Sequence, residues 1–287
     1  MGCKCVKAMG WLPDKIDSSD PTFASKIPEK FRKVEFLPDI IDLRFDMPPI
    51  YNQGLMSTSV ANAVASILEY FQMKKTRKSR IPSRLFIYNH AKKLLRLSGD
   101  SGITIRSALK SLETFGYVDE DLEYETGYMK ELIDAEYSGW IYSMASQNCI
   151  DGYGRHDVTG MKTDDILFSV KKSIAMGLPV VFGFLVYNEV INYADNRPEI
   201  PFPDPQDKLI GCQAVVACGY NDLMTVDTMR SRKTSEGVFI IRNSWGANWG
   251  EQGYAYLPYD YLRFNLSADY WTIIDNEIVK QANLDDD

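Results

Sequence analysis

Residues 242–258 read RNSWGANWGEQGYAYLP. The apolar runs at 238–242 and 254–258 are read as strands, because β-branched and aromatic side chains suit a pleated, half-buried surface. Further such runs lie upstream at 180–187 and 214–219. The run at 180–187 follows a helical pattern at 164–176 that Gly177 and Pro179 end, so the second half of the chain is mainly β. The first half differs. From Ser59, the residues Val60, Val64, Ile67, Leu68 and Phe71 recur at helical spacing. That predicts a buried amphipathic helix, with the hydroxyls of Ser57, Thr58 and Ser59 placed to cap its free N–H groups. Two more helices are read at 83–96 and 105–115, the second closed by Gly116. Helices followed by antiparallel-looking strands predict an α+β protein of two facing units with a cleft between them. Residues 189–207 carry four prolines and no periodicity, and are read as a surface loop overhanging that cleft. The first fifty residues, rich in Pro and Asp, are expected to wrap rather than build the core.

Composition narrows the function. With 45% hydrophobic and 25% charged residues, the chain of 287 sits on the averages of soluble globular proteins. A net charge of -7 repels phosphate backbones, and the one basic run, KKTRKSR at 74–80, reads as a solvated helix end, so nucleic acid is not an expected partner. No stretch approaches the roughly 18 apolar residues of a membrane span, and no apolar core of a secretory signal stands at the N-terminus. The expectation is a soluble, intracellular protein. Its five cysteines fit reduced thiols, being spaced like neither a disulfide ladder nor a zinc site. The opening MGCKC resembles chains acylated on Gly2 and on a following cysteine, Cys3 or Cys5. Val6 departs from that pattern, and membrane attachment is expected only if this terminus carries lipid.

Three segments in order carry a resemblance to a known family. Residues 52–63, NQGLMSTSVANA, are similar to the nucleophile segment of papain-like cysteine proteases, in which a Gln-Gly pair leads into Gly-Ser-Cys and Ala-Asn-Ala. The match puts Ser59 at the catalytic cysteine, Ser57 at a glycine and Gln53 at the oxyanion-hole glutamine. Residues 210–222, IGCQAVVACGYND, resemble the family's Gly-Gly-His-Ala-Val strand, with Cys212 at the second glycine and Gln213 at the histidine. The opening segment at 242–258 matches the Asn-Ser-Trp-Gly region nearly position for position. It puts Asn243 at the residue that orients the histidine, and Trp245 and Trp249 in the walls of the cleft. The spacing agrees, since such bases lie about 130 to 150 residues or more after the nucleophile and Gln213 lies 154 after Ser59. GWLPD, LPDIIDLR, SRLFIYNHAKK, DSGITIRSALKSLETFG, GLPVVFGF and DYWTI resemble further pieces of bacterial and viral members, so the likeness spans nearly the whole chain.

The resemblance implies a papain-like fold, with a wrapping or propeptide-like segment at 1–50 that is retained, a helical left domain at 51–160, and a β-barrel-like right domain at 161–287. It also implies cysteine endopeptidase chemistry, and the residues at the key positions contradict that. A cysteine at a helix N-terminus becomes a thiolate because the helix dipole and a neighbouring imidazolium stabilise it. A serine hydroxyl attacks a carbonyl only when a base removes its proton. Gln213 is no base near neutral pH. The expected protein is therefore an inactive papain-like pseudoprotease, a scaffold or regulatory component that binds a protein partner through its cleft or surface. The alternatives are a peptidase with residual activity and an engineered inactive form of an active protease. His90 and His156 match no motif, and the sequence shows no metal-ligand cluster and no nucleotide fingerprint, so no cofactor and no metal are expected.

Overall fold

The computed structural model describes residues 9–194, 197–227 and 234–282. Two short helices, α1 (Phe23–Lys26) and α2 (Glu29–Arg32), and strand β1 (Ile40–Asp42) precede a group of longer helices. These are α3 (Ser59–Thr76), α4 (Arg84–Leu95) and α5 (Ile105–Phe115), followed by the short α6 (Gly139–Ala145). Strand β2 (Gly152–Arg155) and helix α7 (Thr163–Ala175) lead into β3 (Val180–Tyr187), α8 (Asn188–Ala194), β4 (Leu209–Asp227), β5 (Thr234–Arg242) and β6 (Tyr254–Pro258). The chain closes with α9 (Asp260–Arg263), β7 (Ser267–Ile274) and α10 (Asn276–Gln281). Local chemistry sets several ends. The hydroxyls of Ser83 and Thr104 accept the N–H groups of Phe86 and Ser107, and Gly116 closes α5 with its N–H on the Leu112 carbonyl.

The strands form one antiparallel sheet in the order β2-β7-β3-β4-β5-β6, with β1 also pairing with β4. Each outer edge carries one further bridge, from Thr22 to Arg155 of β2 and from Glu199 to Tyr256 of β6. From Ala214 to Cys218 the side chains of β4 alternate between faces. Ala214, Val216 and Cys218 face a core shared with α3, α5 and the N-terminal segment, whereas Val215 and Ala217 face a second core under α7.

Helix α3 is more enclosed than its pattern implied. Every residue from Ser59 to Phe71 is buried, including Glu69, so no polar face is presented along this stretch. The cause lies in the first fifty residues, which do build core: Trp11, Phe23, Ile27, Phe31 and Met47 belong to the same apolar cluster as α3. Residues 189–207 also depart from the expected surface loop. They begin as α8 and bury Ile200 completely, with its N–H on the Tyr256 carbonyl, because the prolines follow the helix instead of interrupting it.

Candidate functional site

The sheet carries the site's framework. Arg242, at the end of β5, is buried and donates to the carbonyls of Pro48 and Pro49. This fastens the incoming segment to the sheet. The Gly246 N–H then reaches the Tyr51 carbonyl at 3.0 Å and the Gln53 N–H reaches the Ser244 carbonyl at 2.8 Å. Gln53 is thereby set beside Asn243 before the chain turns into α3.

Ser59 is the first residue of α3 and is fully buried. None of the expected hydroxyl caps forms at this helix start. Thr58 makes no side-chain cap bond, its hydroxyl being paired with Tyr128, and the Ser57 N–H is held by the Asp100 carboxylate. The Ser59 hydroxyl oxygen accepts the Ala214 N–H at 3.3 Å.

Gln213, on β4, is also fully buried. Its Nε2 donates to Asn243 Oδ1 at 2.8 Å and to Gln53 Oε1 at 3.0 Å. Fixed backbone groups determine how all three amides are turned. Asn243 Oδ1 accepts the Ser244 N–H at 2.8 Å, so Asn243 presents oxygen and Gln213 must present nitrogen. Gln53 Nε2 faces the carbonyls of Met56 at 2.9 Å and Met9 at 3.1 Å, so its oxygen must face Gln213. That oxygen also accepts the Ser244 hydroxyl at 2.7 Å. The site is thus a chain of neutral amides.

Gln53, Gln213 and Asn243 are joined by hydrogen bonds, Ser59 is held by the N–H of Ala214, the residue after Gln213, and the two histidines do not join them. His90 Nδ1 lies 2.7 Å from the Phe86 carbonyl and its Nε2 2.9 Å from the Tyr142 hydroxyl, in an aromatic cluster where burial lowers its pKa to about 4. His156 is held between the hydroxyls of Ser169 and Thr272, and burial lowers its pKa to about 3. Both ring nitrogens of each are engaged elsewhere. Cys212 lies on the opposite face of β4 from Gln213, and burial raises its thiol pKa, so it holds no thiolate for the site. Trp245 and Trp249 are buried and cross nearly at right angles, 5.3 Å between ring centroids, within the core under α7.

One participant was not read from the sequence as part of the site. Segment 9–12 lies between β4 and the loop before α5, like an inserted strand. The N–H groups of Gly10 and Trp11 both reach the Cys212 carbonyl at 3.3 Å, while Leu12 N–H and Gly10 carbonyl pair with Ile103, each at 3.0 Å. A Cβ on Gly10 would stand 2.1 Å from the Ser57 carbonyl oxygen, so only glycine passes this closely over the start of α3. The Trp11 ring fills the space that a side chain at Gly183 would take, and its indole N–H bonds Asp269 at 3.0 Å. The only sequence signals were the Gly-Trp pair and Pro13. Gly2, Cys3 and Cys5 lie outside the described residues. Among the described residues, no helix is long and apolar enough to cross a membrane.

Comparison with known proteins agrees with this architecture. The model of papain family cysteine proteases matches residues 104–266, a span that includes Gln213 and Asn243 but begins after Ser59. An uncharacterized peptidase C1-like protein of Acanthamoeba polyphaga mimivirus is 31% identical, covering 92% of this chain and 86% of the relative. Among solved structures, xylellain, a cysteine protease from Xylella fastidiosa, superposes with a TM-score of 0.73 at 31% identity, over 93% of this chain and 96% of that one. A procathepsin B from Trypanosoma congolense shares the fold with a TM-score of 0.66 at 15% identity, over 92% and 85% of the two chains.

Proposed function

The chain belongs to the papain family of cysteine proteases, and we propose that within it this protein is a pseudoprotease, a protein-binding scaffold or regulatory component without turnover. The observation that carries this reading is the placement of Gln213. Its amide nitrogen occupies the position facing Asn243 where the family pattern has a base, and it donates in two directions. An amide neither takes up a proton near neutral pH nor forms an imidazolium. The general base that typically contributes 10²- to 10⁴-fold to catalysis is missing, and so is the thiolate. Burial compounds the loss, because Ser59 and Gln213 have no exposed surface and both N–H bonds of the Gln53 amide are spent on carbonyls of this chain.

A peptidase with residual activity needs a base at Ser59, and neither histidine supplies one. Because segment 9–12 fills the groove, partner binding falls to the outer surface unless that segment is displaced. The test is to incubate the purified protein with unstructured protein substrates and follow cleavage by mass spectrometry. No cleavage above a buffer control is expected. Cleavage that disappears in the Ser59→Ala variant contradicts the proposal.

A further inference from the structure

Gln53 and Gln213 link two features of the site, the lost chemistry and the segment lying in the groove. Gln53 has two roles: its oxygen faces Gln213, and its nitrogen holds the Met9 carbonyl. The nitrogen can face Met9 only while the oxygen has donors on the other side, and Gln213 and the Ser244 hydroxyl are those donors. Gln213 is suited to this task in a way a neutral histidine is not. Its single nitrogen carries two protons and serves two acceptors, Gln53 Oε1 and Asn243 Oδ1, without charge. A neutral imidazole has one N–H and would leave one of those buried oxygens with only its bond from Ser244.

We infer that Gln213 is a positioning residue of a neutral amide clasp, through which Gln53 keeps the chain's own segment 9–12 in the groove above Ser59. The groove is thus a peptide-backbone site whose resident ligand is internal. What it selects is visible in how it is filled: a glycine where the chain crosses the Ser57 carbonyl, and a tryptophan whose ring covers Gly183 with its N–H on the Asp269 carboxylate. A partner peptide entering the groove must displace this Gly-Trp segment and meet the same demands. The inference rests on the inactive-scaffold reading, since a working protease needs the groove open.

The test is hydrogen–deuterium exchange on the full chain, comparing wild type with Gln213→Met, which keeps the length of the side chain and removes its N–H groups. Loss of the clasp hydrogen bonds is expected to speed exchange of the Gly10, Trp11 and Leu12 amides by about tenfold, with the β4 amides at 214–217 unchanged. Unchanged exchange at 10–12 overturns the inference, as does an equal loss across β4. Should Gln213→Met unfold, Gln53→Met removes the other half of the clasp and carries the same expectation and the same contradiction. Cleavage of an unstructured substrate, followed in the same samples, reports on the inactive reading separately. A loosened segment with no cleavage supports both, and loosening with cleavage keeps the clasp while sinking the inactive reading.

Discussion

The N-terminal segment is held at two places by opposite chemistry. The backbone of residues 9–12 makes only neutral contacts: pairs with Cys212 and Ile103, and the amide of Gln53. A few residues on, the hold is ionic. Asp269 accepts from the Trp11 indole and the Asp14 N–H, and its other oxygen pairs with Arg155 at 2.7 Å. Arg155 also grips Asp157 and Asp20, and Arg106 joins Asp20 to Asp14. The neutral hold contains no titratable side chain, and its strength depends on geometry alone. At the centre of the ionic hold, Arg155, Asp157 and Asp269 are buried and depend on one another, because taking one charge from a buried set strands the rest.

The sharpest way to break the ionic side is Arg155→Met, which leaves Asp269 and Asp157 buried without their guanidinium. A loss of about 3–5 kcal/mol in folding stability is expected, read from chemical denaturation. A loss below about 1 kcal/mol would mean that the carboxylates are hydrated and that the network is not a buried unit.

On the neutral side, Gly183→Ala drives a methyl into the Trp11 ring, 1.9 Å from the nearest ring atom. Overpacking of this kind typically costs about 1–3 kcal/mol. Here the effect should be local, releasing segment 9–12 and exposing it to proteolysis while the sheet stays intact. Global unfolding without prior cleavage near Trp11 would show instead that the segment is not a separable element.

The smallest effect separates the two holds by pH. Burial raises the Asp269 carboxyl to about 6, above its ordinary value of 3.8, and Asp157 is raised for the same reason, against the pull of Arg155. A carboxyl that is raised in the folded state binds its proton more tightly folded than unfolded, so its contribution to stability grows as pH falls from above 6 towards 4. The melting temperature should therefore hold or rise slightly between pH 7 and pH 5, by a few degrees at most, and the segment should not let go on mild acidification. A fall over that window contradicts the assigned burial of Asp269.

Much of the fold was legible where local pattern and tertiary need coincide. Strands at 180–187 and 254–258 and the helix at 105–115 match their predicted bounds, because an apolar run or a capped periodic stretch is also what the core requires there. The read strand at 214–219 proved to be the centre of the longer β4, whose outer half is polar. Asn221, Thr225 and Asp227 pair with β5 as a ribbon, and that pairing leaves no apolar alternation to read. Helices α6 and α8 escaped for a related reason: seven residues each give too little periodicity. The positions of Gln53, Ser59, Gln213 and Asn243 came from their motifs, and the structure joins Gln53, Gln213 and Asn243 by hydrogen bonds and sets Ser59 on the N–H of Ala214. The occupant of the groove was not legible, because its partners lie some 40 to 260 positions away in sequence and only the folded chain brings them together.

The central claim, that Ser59 is an ordinary buried hydroxyl, is tested most directly by covalent labelling of the native protein with a serine-directed fluorophosphonate and, in parallel, a thiol-directed epoxide, read by peptide mass mapping. No adduct on Ser59 is expected with either probe. Stoichiometric modification of Ser59 by the fluorophosphonate in the folded protein, and not in the Ser59→Ala variant, would contradict it.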